Sequence, residues 1–445
     1  MRRLNILALK NIINSTRIFT AGKSIAKLWS SSLLSAGFAF LIQILLARYL
    51  QPESYGMFMS SLVLITSLVP LVGFGVHSYW LKAFGNEGWE AMGFVKSSFR
   101  FLTRSAFIGV VAIILWAFLG GHNSSTKLVL LILLPYLLGQ TFLELVNAKF
   151  QLEERFTALA IWQLMPNLLR LVLLNLCFLL VDSFSGLLGV SFIYSSVSIV
   201  VCIYGYREMK KMLNGKFTLK GHIPKHTTLN FPKKYEKQTW EVIRLTWPFG
   251  LGSLFHLIYF QSDIILLRYL YGSSEAGIYS VAFTVITASL LLPSVIYQKF
   301  LLPKLHRWSH QNLDLFHRVY KKGNLLMLIM GSFAMAVVFL SADGLIHYLF
   351  GKTYTEAVFL LKILSLNIPI LFVASSVGSV LVTQEHMSLK VKIMGVVALL
   401  NIVLNIIVLP KYGGLGAACT TVMSNLLLLS LYFYSAEKKV FNKHK

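Results

Sequence analysis

Runs of roughly 18 to 22 apolar residues recur along the whole of this 445-residue chain. At 1.5 Å of rise per residue, a helix of that length crosses a hydrocarbon core about 30 Å thick. Few folds satisfy their backbone polar groups there. Leu, Ile, Val and Phe dominate the runs, which points to helices rather than an outer-membrane barrel. The runs lie near residues 28 to 47, 57 to 76, 101 to 119, 128 to 147, 159 to 181, 187 to 205, 245 to 267, 277 to 298, 324 to 342, 357 to 382, 391 to 409 and 415 to 434. Composition agrees: 56% of residues are hydrophobic, 13% are charged and the mean hydropathy is +0.68, far from a soluble globular balance.

The formal net charge of +24 invites a nucleic-acid reading, because Lys and Arg clusters neutralise phosphates. Its distribution excludes one. With the N-terminus inside, 34 of the 41 Lys and Arg fall to the cytoplasmic side, six fall outside and Arg170 lies within a span. That asymmetry is the positive-inside signature and puts both termini in the cytoplasm. The basic N-terminal stretch lacks a signal peptide's short apolar core and cleavage site, and is expected to be retained as a surface-lying amphipathic segment. Cys177, Cys202 and Cys419 sit inside apolar runs without metal-ligand or disulfide spacing.

The longest hydrophilic interruption, residues 206 to 244, holds ten Lys or Arg and two prolines and reads as a cytoplasmic linker. It divides the chain into a basic N-terminal segment (1–27), a six-helix half (28–205), the linker, a second six-helix half (245–434) and a tail (435–445). "ILLARYLQPESYG" at 44 to 56 and "ILLRYLYGSSEAG" at 265 to 277 mark the same corner in each half. Aligning Arg48 with Arg268 and allowing one inserted residue sets Gly56 opposite Gly277. The expected fold is therefore an all-α polytopic membrane protein, with about twelve transmembrane helices in two pseudo-repeated halves around a central cavity, as in secondary transporters. Arg48 and Arg268, each at the outer end of a first helix, read as headgroup anchors, with Pro52 and Gly56 turning the chain back into the bilayer.

"TAGKS" at 20 to 24 lacks the first glycine and preceding strand of a phosphate-binding loop. Any transport must then draw on gradients or on the substrate itself. Polar residues inside spans are costly unless they face a bundle interior or a watery cavity. In the fifth span Gln163, Asn167 and Arg170 share one face, with Arg170 near the midplane; it is expected to line the cavity or to join a structural ion pair. In the fourth span Gln140, Glu144 and Asn147 share a face, although Glu144 lies near the cytoplasmic end. In the seventh, His256 and Asp263 share a face that would suit a coupling cation; the alternatives are a pair between Asp263 and Arg268 and a core hydrogen bond at His256. Asn367, Asn401 and Asn405 read as helix-to-helix glue, and Pro135, Pro166, Pro248, Pro293 and Pro369 as candidate kinks.

The opening "ILLARYLQPESYGMFMSSLVLITSLVPLVGFGV" resembles the polysaccharide transport proteins, the O-antigen and capsule repeat-unit flippases of the multidrug/oligosaccharidyl-lipid/polysaccharide exporter superfamily. Arg48, Leu50, Pro52, Glu53, Tyr55 and Gly56 meet the family's Arg-x-Leu, Gly/Pro, Glu and Tyr-Gly pattern, while Gln51 stands where glycine is frequent. "QLEERF" at 151 to 156 and "LPKYGGLGAA" at 409 to 418 extend the likeness. The resemblance implies a non-enzyme of the bacterial inner membrane that moves undecaprenyl-pyrophosphate-linked oligosaccharide to the outer leaflet by alternating access. It implies no cofactor beyond a proton or sodium gradient. Its partners would be the lipid-linked oligosaccharide, membrane lipids, a polysaccharide polymerase and a chain-length regulator. On that reading Arg170 meets pyrophosphate or an acidic sugar, Asn167, Gln163 and Gln140 meet hydroxyls, and Glu144, Asp263 or His256 responds to a cation. A multidrug/cation antiporter and a non-transporting scaffold of glycan assembly stay open. A glycan polymerase would need larger outer loops than these.

Overall fold

The computed structural model describes residues 2–180, 186–220, 238–301, 305, 308, 309, 311, 313–383 and 386–441. Among them every regular element is helical. The first, α1 (Arg2–Gly73), carries two arms that meet at Gln51, whose φ of 62° and ψ of 165° break the helical path just before Pro52. Pro52 lacks an N–H and starts the second arm. Phe74 and Gly75, both at positive φ, end that arm and lead into α2 (Val76–Glu87). This short helix was not expected from the sequence. At 12 residues it is too short to cross a bilayer.

The first half continues through α3 (Met92–Leu119), α4 (Ser124–Ile132), α5 (Leu134–Leu152), α6 (Phe156–Leu180) and α7 (Leu187–Leu213). Pro135 begins α5, so α4 and α5 make one broken crossing. The second half holds α8 (Thr239–Leu270), α9 (Ser273–Ser289) with its continuation to Leu301, α10 (Leu313–Leu349), α11 (Ala357–Ser365), α12 (Asn367–Thr383) and α13 (Met387–Ala436). Gly413, at φ 52°, divides α13 as Gln51 divides α1.

Eight continuous stretches are long and apolar enough to cross a membrane. The breaks at Gln51, Phe74–Gly75 and Gly413 resolve two of these into three and two crossings. With α9, twelve crossings result among the described residues, six in each half. Some boundaries move. Helix runs to Leu213 and resumes at Thr239, so the expected linker is helical at both ends; its middle, residues 221–237, lies outside the described residues. The ninth span extends to Leu349, which shortens the gap expected between residues 342 and 357. "TAGKS" lies within α1, in helical surroundings foreign to a phosphate-binding loop.

Most hydroxyls in the spans are satisfied on their own helix. Ser191, Ser198 and Thr284 donate to carbonyls four residues back, which lets small polar residues sit in apolar helices at little cost. The most extensive packing joins α1 to α9 and α8 to α13. The first of these crosses between halves, and it is close because both facing residues are glycines. A Cβ on Gly56 would lie 2.7 Å from the Gly277 nitrogen and 1.8 Å from the Ser273 oxygen. The two corners singled out by the repeat therefore touch. At the other end of the same arm, Gly75 and Gly250 make a second contact: a Cβ on Gly75 would lie 2.5 Å from the Gly250 nitrogen.

A second apolar cluster lies at the end of the bundle that carries the termini, where Trp80 and Phe84 of α2 join Phe150, Met209 and Phe217. Beside it Lys149, only 1% exposed, pairs with Glu153 at 3.2 Å and Glu208 at 2.6 Å. Arg155 and Lys211 complete the set by binding Glu153 and Glu208.

Candidate functional site

The polar face of α6 meets the first arm of α1. Ser32 Oγ donates to Gln163 Oε1 at 3.5 Å, and Asn167 Nδ2 donates to Ser35 Oγ at 3.0 Å and to the Ser35 carbonyl at 3.2 Å. Gln163 Nε2 also reaches Asn147 Oδ1 of α5 at 3.4 Å, so the stripes expected on the fourth and fifth spans face each other. Gln140, two stripe positions further along α5, is half-buried and has no hydrogen bond among the described residues.

Arg170 is 5% exposed. Its guanidinium lies 4.8 Å from the Tyr194 ring centroid and 5.1 Å from that of Tyr136. Nη1 donates to Asn167 Oδ1 at 3.4 Å, and Nε has no partner. No carboxylate pairs with it among the described residues, so the expected alternative of a structural ion pair is not what forms. Two tyrosine faces hold the cation instead, by an attraction that strengthens as water is removed.

Between the halves lies a cavity of about 270 Å³, walled by both arms of α1 and by α8 and α9. Its polar atoms come from Gln43, Gln261, Ser280, Thr284 and Thr287, and the rest of the wall is apolar or small, with Ala36, Met59 and Ile264 among it. Arg170 is not in that wall. It stands one helix back: Ser35, which Asn167 binds, precedes Ala36 of the wall.

Asp263 stands in the same relation to the other side. It is fully buried, next in sequence to Ile264 of the wall, and accepts from Tyr279 at 2.9 Å, from Asn405 and from Thr421. Asn401, Thr420 and Ser262 extend the network across α8 and α13. The expected option of an Asp263–Arg268 pair does not form: Arg268 binds Ser60, Ser61 and Thr126 instead. The carboxylate is thus met by the neutral donors of Tyr279, Asn405 and Thr421, and no cation pairs with it among the described residues. An unpaired buried carboxylate is unfavourable unless a proton or cation joins it.

The other two candidates for a cation response, His256 and Glu144, resolve separately. His256 Nδ1 lies 2.8 Å from the Tyr259 hydroxyl and its ring stacks on Phe260, so it does not join Asp263. Glu144 pairs with His77 of α2 at 3.2 Å and does not approach Arg170.

Several residues here escaped the sequence reading. Tyr136 and Tyr194 look like ordinary aromatics of apolar spans, and only their convergence on Arg170 distinguishes them. Gln43 and Gln261 were visible as lone amides within first helices of each half; Gln43 accepts from Tyr55 at 2.9 Å. Lys390, with its ammonium 5.8 Å from the Tyr432 ring, is a second cation held on an aromatic face without a carboxylate among the described residues.

Residues 21–308 match a protein family described as polysaccharide biosynthesis protein. The chain is similar to the capsular polysaccharide biosynthesis protein CapF of Staphylococcus aureus, at 23% identity over 415 residues, covering 93% of this chain and 98% of CapF. Among solved structures it is similar to lipid II flippase MurJ in an inward closed conformation, with a TM-score of 0.71 and 15% identity over 92% of this chain and 87% of that one. It is also similar to an inward-facing multidrug resistance MATE family transporter of the MOP superfamily, with a TM-score of 0.65 and 13% identity over 92% and 94% of the two chains.

Proposed function

The chain belongs to the polysaccharide biosynthesis protein family, and from that premise we propose that it is a flippase for polyprenyl-diphosphate-linked oligosaccharides. It would carry undecaprenyl-pyrophosphate-linked repeat units from the cytoplasmic to the outer leaflet of a bacterial inner membrane for surface polysaccharide assembly. A diphosphate and a string of sugars cannot cross hydrocarbon unaided, because each desolvated polar group costs kilocalories and each charge more. The twelve-crossing fold with a cavity between its halves supplies a route, and the likeness to a capsule biosynthesis protein and a lipid II flippase supports this cargo. The charge asymmetry supports cytoplasmic termini.

The observation that carries the reading is Arg170. A cation this deep costs at least about 2.5 to 3.5 kcal/mol, yet it keeps an unpartnered Nε and no carboxylate among the described residues. Such an arrangement suits a ligand that brings the negative charge. In this reading Arg170 meets the diphosphate or an acidic sugar when the first arm of α1 shifts, Asn167, Gln163 and Gln140 take sugar hydroxyls, and the polyprenyl tail stays in lipid. Asp263 is the cation-responsive group, since its neutral shell leaves a negative charge to be met by a proton or sodium ion. His256 and Glu144 have local partners and rank below it. A polysaccharide polymerase and a chain-length regulator would act on the product.

Deleting the gene is expected to leave the lipid-linked oligosaccharide on the cytoplasmic face, and restoring the chain to clear it. Arg170→Ala, at normal membrane abundance, is expected to fail in that restoration. Normal surface-glycan assembly with this variant would end the Arg170 assignment. Drug resistance conferred by the chain, without any accumulated glycan on deletion, would favour the antiporter reading instead.

A further inference from the structure

The repeated corners do more than turn the chain. Arg48, at the end of the first arm of α1, donates from Nε to the Leu349 carbonyl at 2.7 Å and from Nη2 to the Tyr348 carbonyl. These are last-turn carbonyls of α10, in the opposite half, which have no intrahelical partner and carry the negative end of the helix dipole. Tyr354, also of the second half, donates to the Ala47 carbonyl at 2.8 Å.

Arg268 reaches the other way. From the last turn of α8 its Nη1 donates to Ser60 Oγ and Ser61 Oγ, each at 2.9 Å, and to the Met57 carbonyl at 3.3 Å, while Nη2 donates to Thr126 Oγ1. All four acceptors belong to the first half. Between the two arginines the Gly56 and Gly277 backbones touch, with room for no side chain: a Cβ on Gly277 would lie 2.1 Å from the Pro52 carbonyl oxygen. The reading of both arginines as headgroup anchors is therefore replaced, since their hydrogen bonds run across the halves rather than toward lipid. At the terminus-bearing end, by contrast, the Gly75–Gly250 contact is backbone packing.

We propose that Arg48 and Arg268 form a reciprocal pair of latches, each thrown from one half into the other, that hold the halves shut at the end remote from the chain termini. Opening there breaks both latches and parts the two glycines together. The contact has two states rather than a graded range, because backbone packed this closely is either seated or not. The purpose of the opening, releasing cargo on the outer side, rests on the transporter reading above; the latch itself does not.

The test uses the full-length chain with Cys177, Cys202 and Cys419 replaced by Ala and with Thr287→Cys as a probe in the cavity wall. A membrane-impermeant maleimide is added from outside intact cells. The parent is expected to label slowly. Arg48→Ala combined with Arg268→Ala is expected to raise labelling by about tenfold, the population shift that follows when the closed state loses roughly one charge-assisted hydrogen bond of preference. Gly277→Ala leaves both arginines in place but wedges the corner, and is expected to raise labelling as well. Each variant is checked for a monodisperse detergent-solubilised peak, and if the double variant fails it, Gly277→Ala and the conservative Arg268→Lys decide. Parent-level labelling in the well-folded variants overturns the latch while leaving the flippase reading intact. Raised labelling in the variants, together with a parent chain that moves no lipid-linked glycan, upholds the latch and removes that reading.

Discussion

Buried cations in this protein come in two kinds, and substitution should tell them apart. Lys149 is saturated, with Glu153 and Glu208 on either side. Lys149→Met would leave those two carboxylates facing each other, relieved only by Arg155 and Lys211, and should destabilise the fold by about 3 kcal/mol, read as a lowered unfolding temperature in detergent. Arg170 is unsaturated, with two aromatic faces and one weak amide contact. Arg170→Lys keeps the charge but loses the flat guanidinium that fits both rings. It should therefore leave stability nearly unchanged while reducing glycan transport several-fold, measured as surface polysaccharide at matched expression. The stripe of Gln163, Asn167 and Arg170 was legible in the sequence because helical spacing alone puts the three on one face. Tyr136 and Tyr194 were not, since a tyrosine in an apolar span gives no local sign of what its ring will touch. Arg48 and Arg268 were misread for a related reason: an arginine at a helix end looks the same whether lipid or another half lies beyond it.

The helices themselves were read well wherever apolar length decided the matter, and poorly where a break decided it. Twelve crossings follow from the sequence, but α2 does not, because its apolar residues pack on an intracluster face too short to register as a run. The kink in α1 is set by Gln51, which sits at φ 62° and ψ 165°, a region that only glycine enters without strain. Gln51→Gly should raise stability by about 1 kcal/mol, the relieved strain less the greater freedom of glycine in the unfolded chain, and a differential unfolding scan would show it. The opposite effect is expected at Gly331 of α10, where a Cβ would lie 2.7 Å from Pro369 Cα of α12. Gly331→Ala has no flexible neighbour to displace, so it should cost about 1 to 3 kcal/mol through overpacking; an unchanged melting temperature would show that the two helices slide apart freely.

Across the whole molecule the two halves have kept one plan and divided its chemistry. The unpaired cation stands behind the cavity wall on the first half's side, and the buried carboxylate behind it on the second's. If Asp263 seats a cation, then a cation that binds only the folded chain stabilises it by about 2.7 kcal/mol at a hundredfold excess over its dissociation constant. Sodium, or low pH if the ligand is a proton, should accordingly raise the melting temperature of the parent and leave that of Asp263→Asn unmoved. The Gly56–Gly277 contact carries a further consequence. Where a two-fold axis relates identical subunits, a residue lying on it meets its own copy, and these two glycines occupy equivalent positions of the repeat. The seam at Gly56 and Gly277 thus has the self-matching form of a homodimer interface on its two-fold axis. A six-helix half expressed alone should still present that self-matching glycine surface, so its natural oligomer in a membrane is a pair of like halves rather than a lone one.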